Sequence, residues 1–374
     1  MRDARSAIIA LILMTCIIIM LMTILASADG AFNVSGKSAL LYEPKTKTII
    51  YSKNIDERLP MASTTKIMTA LLAIEMLDFE QVVTVSREAV GIEGSSVYLA
   101  EGDTLTVRDL IYSVLLQSAN DAAEMLAILM GGDVHGFSEL MNARALQLGM
   151  LNTHFDNPHG LDSETHYTTA RDLATLAAAA LENEAFREIT STYKYTFLLS
   201  EKMRTVVNHN KLLRSYEGMI GVKTGYTKRS GRCLVSAAER NELTLIAVTL
   251  DAPDDWRDHK AMLDLGFSEY ERVPLRDIIP TEYTLPVFSS DSDTIKAHIP
   301  NPDSVYLIKR KTDGKIKAIT DLVRYAAAPV KAGDPLGEVI FTLDGRIIGR
   351  VDIVAKEGAA IKKRKFDIFD IFNT

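Results

Sequence analysis

The sequence predicts a mixed α/β fold: one antiparallel sheet flanked by helices, followed by a small all-β unit. Three observations predict it. Runs of strand character lie at both ends of residues 29–272, helical patterns fill the stretch between them, and beyond residue 273 helical periodicity gives way to prolines, Gly-Asp turns and short alternating runs. The chain has 374 residues, enough for two domains and a sizeable core. Its net charge of −7 excludes general nucleic-acid binding, which needs a basic footprint. No zinc-finger, Walker or Rossmann pattern is present, so no cofactor is expected.

Taken in order, "MRDARSAIIALILMTCIIIMLMTILASADG" has a basic start, an apolar stretch and then Ala26, Ser27 and Ala28, small residues suited to signal-peptidase cleavage. Residues 1–28 are therefore expected to be an export signal, with an uncleaved membrane anchor as the alternative because the apolar stretch is long. Either way the remainder lies outside the cytoplasm. Removing this segment takes Cys16 with it and leaves Cys233 as the single thiol, so no internal disulfide can form. Cys233 opens the apolar run "CLVSAA" and suits a small buried hydrophobe.

"SALLYEPKTKTIIYSKN" reads as a hairpin. "TTKIMTALLAIEML" is apolar nearly all round, the pattern of a helix buried in the core. "EGDTLTVRDLIYSVLLQSANDAAEMLAILMGG" reads as two helices broken near Ser118, the first capped by Thr106, and "TTARDLATLAAAALE" as another helix. "GMIGVKTGYT" reads as a strand and "RCLVSAAERNELTLIAVTLDA" as a hairpin turning at Asn241-Glu242. "DDWRDHKAMLDLGF" reads as a closing helix ending at Gly266. The expected domains are residues 29–272, a β unit over 273–358, and a tail over 359–374. In the tail, Lys362, Lys363, Arg364 and Lys365 precede Phe366, Ile368, Phe369, Ile371 and Phe372, as in an amphipathic helix lying on an anionic membrane surface.

Chemistry enters at "MASTTKIMTA". Ser63 and Lys66 stand three apart where a helix begins, which puts both side chains on one face. Serine becomes a nucleophile when a base takes its proton, and lysine becomes that base when burial or another cation lowers its pKa. The same spacing in Ser191 and Lys194 falls in "ITSTYKYTFLL", where alternation suggests a strand and opposite faces. "QSAN" offers Ser118 and Asn120 at a break between helices, the hydroxyl to pass a proton and the amide to hold a peptide group. "VKTG" puts Lys223 and Thr224 on a strand edge where they can bind a carboxylate, with Gly225 leaving room for a substrate beside the strand. His154, His159 and His166 lack metal-binding spacing and read as structural, so no metal site is expected. Asp121 reads as a helix cap, Asp162 as part of a cleft wall, and Trp256 as packing.

The order SxxK, SxN, KTG, with "EGDTLTVRDLIYSVLLQSANDAAE", "NPHGLDSETHYTTARDLA" and "GVKTGYTKRSGRCLVSA", resembles the serine-type D-alanyl-D-alanine carboxypeptidases, low-molecular-mass penicillin-binding proteins. "DAPDDWRDHKAM" and "KKRKFDIFDIF" resemble the sporulation-associated type. The resemblance implies a β-lactamase/transpeptidase-like domain and, as partners, the peptidoglycan stem peptide and β-lactam inhibitors. Ser63 would acylate, Lys66 accept its proton, Ser118 relay a proton to the departing D-alanine, and Asn120 orient the peptide. Lys223 and Thr224 would bind the terminal carboxylate, with Arg257 as an extra ligand. The backbone N–H groups of Ser63 and Tyr226, the residue after Gly225, would form the oxyanion hole. A β-lactamase and a catalytically silent wall-binding scaffold are the alternatives.

Overall fold

A computed structural model of the chain describes residues 33–302, 305–309, 317–343 and 345–362. The expected export segment and the amphipathic part of the tail lie outside the described residues. The first unit contains strands β1 (Ser38–Glu43), β2 (Thr48–Lys53), β3 (Val82–Thr84), β4 (Thr104–Thr106), β5 (Lys194–Leu199), β6 (Lys202–Val207), β7 (Met219–Thr227), β8 (Gly231–Arg240) and β9 (Leu243–Leu250). Its helices are α1 (Lys66–Met76), α2 (Val107–Tyr112), α3 (Asn120–Gly131), α4 (Val134–Gln147), α5 (Ala170–Glu182), α6 (Glu184–Ser191) and α7 (Asp255–Glu269).

Five strands form one antiparallel sheet in the order β2-β1-β9-β8-β7. Side chains alternate between its faces, and both faces are buried. Leu40, Val235, Ile246 and Val248 enter the core on the α5 side, while Ala39, Leu41, Leu245 and Ala247 pack toward α7. That is why β9, "LTLIAVTL", is buried along its whole length and reads as a continuous apolar run. The β8–β9 hairpin turns at Asn241 and Glu242 with φ of 50° and 60°, the left-handed pair of a two-residue hairpin loop.

Helix α1 is buried from Lys66 to Ala73 and packs against α3 and α5, as its all-round apolarity demands. Helix α7 does not stop at Gly266 but continues to Glu269. A Cβ at 266 would stand 2.4 Å from Leu245 Cδ1, so this glycine lets the helix lie close on the sheet instead of ending it.

The second unit begins with β10 (Tyr270–Pro274), which pairs with β13 (Val305–Lys309). The strands β11 (Glu282–Phe288), β12 (Thr294–His298), β14 (Lys317–Leu322), β15 (Ala326–Ala327), β16 (Pro335–Leu343) and β17 (Arg346–Ala355) form a six-stranded sheet in the order β14-β16-β17-β12-β11-β15. Its separate core includes Leu285, Ile295, Val339, Phe341 and Ile353. Pairing continues past the expected boundary at 358: Ala359 bridges Val330 and Ile361 bridges Ser290, so residues 359–362 belong to the β unit. Among the described residues no helix is long and apolar enough to cross a membrane.

Thr106 caps α2 with a reciprocal capping box: its side chain accepts from the Asp109 backbone N–H, and Asp109 accepts from the Thr106 backbone. Thr106→Ala is expected to cost about 1 kcal/mol, read as a fall of about 2–4 °C in the thermal midpoint.

Candidate active site

The residues Ala62–Thr65 form a tight 3₁₀ turn that feeds directly into α1. The Thr64 and Thr65 hydroxyls donate to the carbonyls of Met61 and Ala62 at 2.6 and 2.8 Å, locking the turn that carries Ser63. Two glycines let neighbouring segments press against it. A Cβ at Gly160 would lie 1.9 Å from the Ala62 carbonyl oxygen, and one at Gly225 would lie 2.9 Å from Ser63 N. Gly225, which also lines the cavity, serves a purpose the sequence did not suggest. Its bare Cα brings β7 against the Ser63 turn, so part of the clearance it provides is for the protein's own backbone.

Lys66 is fully buried. Its Nζ lies 3.0 Å from Ser63 Oγ, 2.6 Å from Asn120 Oδ1 and 2.6 Å from the His159 carbonyl oxygen. Burial holds its pKa well below the ordinary lysine value, and the positive charge of Lys223 pushes it further the same way; Asp121 opposes them weakly. An enclosed ammonium with no carboxylate in contact is disfavoured, so the pocket shifts Lys66 toward the neutral amine. That amine has two N–H groups for the two carbonyl oxygens, which leaves its lone pair for the Ser63 hydroxyl proton.

Ser118 and Asn120 sit where α2 gives way through a π-turn to α3. Ser118 is in the left-handed region with φ of 62°, at the break the sequence suggested. Asn120 accepts from Lys66 and donates its side-chain amide to the Glu93 carbonyl, while its backbone N–H donates to Ser95 O at 2.7 Å. Lys223 on β7 is 1 % exposed, and burial lowers its pKa to about 7. Its Nζ donates to the Thr224 carbonyl at 2.9 Å.

A cavity of about 590 Å³ opens over these groups, lined by Ser63, Ser118, Thr224, Gly225 and Tyr226. Lys66, Asn120 and Lys223 stand behind its wall. Arg257 does not line it: its side chain is 70 % exposed and its guanidinium turns to Asp254 at 2.9 Å and Asp258 at 3.8 Å. The helix periodicity explains this, because Arg257 directly follows Trp256, which does face the cavity, and so stands about 100° further round the helix. Arg232, Asp255, His209 and Lys211 also line it, and sequence reasoning passed over all four. The signal for Arg232 was available: in the β7–β8 pairing it stands opposite Tyr226. His209 and Lys211, in "NHNKLL", carry no spacing that marks them.

The loop histidines separate into posts around the Ser63 turn. His159 supplies the carbonyl to Lys66 and places its Nε2 3.5 Å from Glu124 Oε2. His166 Nε2 meets Thr65 Oγ1 at 2.7 Å, and burial lowers its pKa to about 4. His154 meets the Thr165 carbonyl at 3.0 Å. Asp162 accepts from Thr227 Oγ1 at 2.9 Å and braces the end of β7. Asp121 does not take the expected capping position, which falls to Ala119 without a side-chain cap bond; lying one residue inside α3, it accepts from the Val97 and Leu99 backbone at 3.2 and 3.0 Å, fixing the loop over Asn120. Cys233 is buried, and burial pushes its thiol up to about 12, as for an inert packing residue.

The second Ser-x-x-Lys pair is not on one strand. Ser191 ends α6 and Lys194 begins β5, both exposed, and Ser191 Oγ donates to the Glu188 carbonyl at 2.9 Å. The strand expectation failed at Ser191 because Asn183 caps a short helix whose Phe186, Ile189 and Thr190 face the core.

The D-alanyl-D-alanine carboxypeptidase family matches residues 24–254, and the penicillin-binding protein 5 C-terminal domain matches residues 277–360. The D-alanyl-D-alanine carboxypeptidase DacF of Bacillus subtilis is 34 % identical over 343 residues, covering 89 % of this chain and 87 % of its own. Penicillin-binding protein 5 of Haemophilus influenzae superposes with a TM-score of 0.75 at 27 % identity, covering 88 % of this chain and 98 % of that one. A Streptomyces DD-transpeptidase superposes at 0.60 with 34 % identity over 63 % of this chain and 98 % of its own.

Because the charge of Lys223 helps keep Lys66 neutral, Lys223→Gln is expected to raise the Lys66 pKa. The acid limb of the normalised pH profile for benzylpenicillin acylation should then move to higher pH. Stopped-flow acylation rates across pH check this; an unmoved or lowered limb contradicts the coupling.

Proposed function

The chain belongs to the D-alanyl-D-alanine carboxypeptidase family, and on that premise we propose how its residues release the terminal D-alanine of peptidoglycan stem pentapeptides. Ser63 Oγ attacks the carbonyl carbon of the penultimate D-alanine as its proton passes to Lys66 Nζ. The oxyanion forms between the backbone N–H groups of Ser63 and Tyr226. The peptide C–N bond then breaks, Ser118 relays a proton to the departing amine, and D-alanine leaves. Water attacks the ester, returns the proton to Ser63 and frees the shortened peptide. Asn120 orients the stem peptide; Lys223 and Thr224 draw in its carboxylate. A β-lactam carbonyl enters the same path and stops at the ester.

One observation carries this reading: the 3.0 Å approach of Lys66 Nζ to Ser63 Oγ in a pocket that disfavours the ammonium. Among the described residues no glutamate lines the cavity, so the geometry lends the β-lactamase alternative no support. The scaffold alternative leaves a buried, depressed lysine beside an accessible serine without a purpose.

The same proposal takes the chain from residue 29 to Glu269 as the peptidase unit and from Tyr270 to residue 362 as the β unit. Export through residues 1–28 and attachment to an anionic membrane through the tail rest on their sequence patterns. A sporulation-associated role rests on the sequence of the closing helix and tail.

Incubation with a stem pentapeptide should give the tetrapeptide by mass spectrometry, blocked by benzylpenicillin. Ser63→Ala should lower the rate on the order of 10³-fold or more, whereas Ser191→Ala should retain it. A Ser63→Ala chain that still releases D-alanine discards the nucleophile. The full chain should float with anionic lipid vesicles, and a chain ending at residue 362 should not.

A further inference from the structure

A buried lysine such as Lys66 can relieve its burial by losing a proton; an arginine cannot. An enclosed guanidinium keeps its charge and needs an anion beside it. Arg272, on β10, is such a group. Its side chain is 10 % exposed, and its Nε is buried and makes no hydrogen bond. Its Nη1 donates to the Glu242 carbonyl oxygen. Among the described residues the carboxylate paired with it is that of Glu242, 3.5 Å away on a side chain 84 % exposed. A partner so open to water compensates little of an enclosed charge.

Arg272 lines a cavity of about 440 Å³ at the point where the first unit passes into the second. Arg240, at the end of β8, brings a second permanent cation to it. The Arg240 guanidinium lies against the rings of Tyr216 and Phe267, 4.6 and 4.7 Å from their centres, and its Nε donates to the Glu217 carbonyl at 3.1 Å. Among the described residues its two terminal nitrogens have no hydrogen-bond partner. Asn241, in the β8–β9 loop, adds a side-chain amide, and Leu243 and Phe267 supply an apolar wall. Glu271 also lines the cavity, but neighbours on a strand point to opposite faces, so its side chain and that of Arg272 leave β10 in opposite directions.

Two fixed cations on one cavity repel each other until an anion lies between them. Guanidinium forks match the oxygens of a phosphate group. The cavity is larger than a bare phosphate ion, so a carbon group attached to the phosphate has room against Leu243 and Phe267. None of these residues lines the cavity over Ser63, and nothing here depends on the reaction proposed there.

We infer that this cavity binds a phosphate ester, with Arg240 and Arg272 holding the phosphate and Leu243 and Phe267 covering the carbon group. A soluble phosphate ester and a lipid headgroup offer the same chemistry.

The test follows glycerol phosphate by phosphorus NMR in the presence of the full chain. Its signal should broaden saturably with the wild type. Inorganic phosphate should reverse the broadening, and acetate at equal ionic strength should not. Arg272→Met and Arg240→Gln should each weaken binding about 10-fold or more, as expected for a lost charge-assisted contact. Both should keep the wild-type circular dichroism spectrum. In chloride alone, Arg272→Met should unfold no lower than the wild type, because it removes an enclosed charge and keeps the packing. Glycerol phosphate should raise the thermal midpoint of the wild type and leave that of Arg272→Met in place. Phosphatidylglycerol vesicles that displace glycerol phosphate identify a lipid headgroup as the source; glycerol phosphate that stays bound beside them identifies a soluble ester. Equal broadening by the wild type and both variants, or equal competition by acetate, overturns the assignment. So does an Arg272→Met chain that unfolds well below the wild type in chloride, since the Glu242 pair is then structural.

Discussion

The burial of two lysines in one pocket is the constraint on which the site depends. Lys66 and Lys223 are both almost without solvent, and burial, followed by its cationic neighbour, lowers the Lys66 pKa. Two like charges that close in a low-dielectric interior cannot both persist, so the pocket favours a state with one proton fewer than water would allow. The fold supplies carbonyl oxygens to Lys66 where an ordinary core lysine would meet a carboxylate. Asn120 Oδ1 and the His159 carbonyl satisfy its N–H groups without stabilising its charge as an anion would. The charge that opposes this, Asp121, is committed to the backbone of the 96–99 loop. The lowered pKa of this amine is thus a product of packing.

Holding that pocket shut requires three chain segments to meet at the Ser63 turn: α3 with Asn120, the loop with His159, and β7 with Lys223. Backbones cannot come so close with side chains between them. Gly160 and Gly225 remove those side chains at the two tightest contacts. The left-handed residues Ala62 and Ser118, at φ of 47° and 62°, then turn the serines toward the common space. These non-glycine residues in a disfavoured region cluster at the site, where surrounding contacts over-determine the backbone.

Most of this was legible in the sequence because it rests on local signals. The helix start at Ser63, the break at Ser118 and the β7 edge at Lys223 each follow from periodicity and capping within about a dozen residues. What escaped depends on where chains cross in space. Gly266 looked like a helix stop because a glycine after an apolar run usually is one; only its closeness to Leu245 shows that the helix continues over it. Ser191 looked like strand because β-rich sequence follows it, whereas the core packing of Phe186 and Ile189 had already committed it to a helix. Arg257 was chosen for its place before the closing helix, yet a turn of about 100° per residue separates the side that faces the cavity from the side that faces solvent.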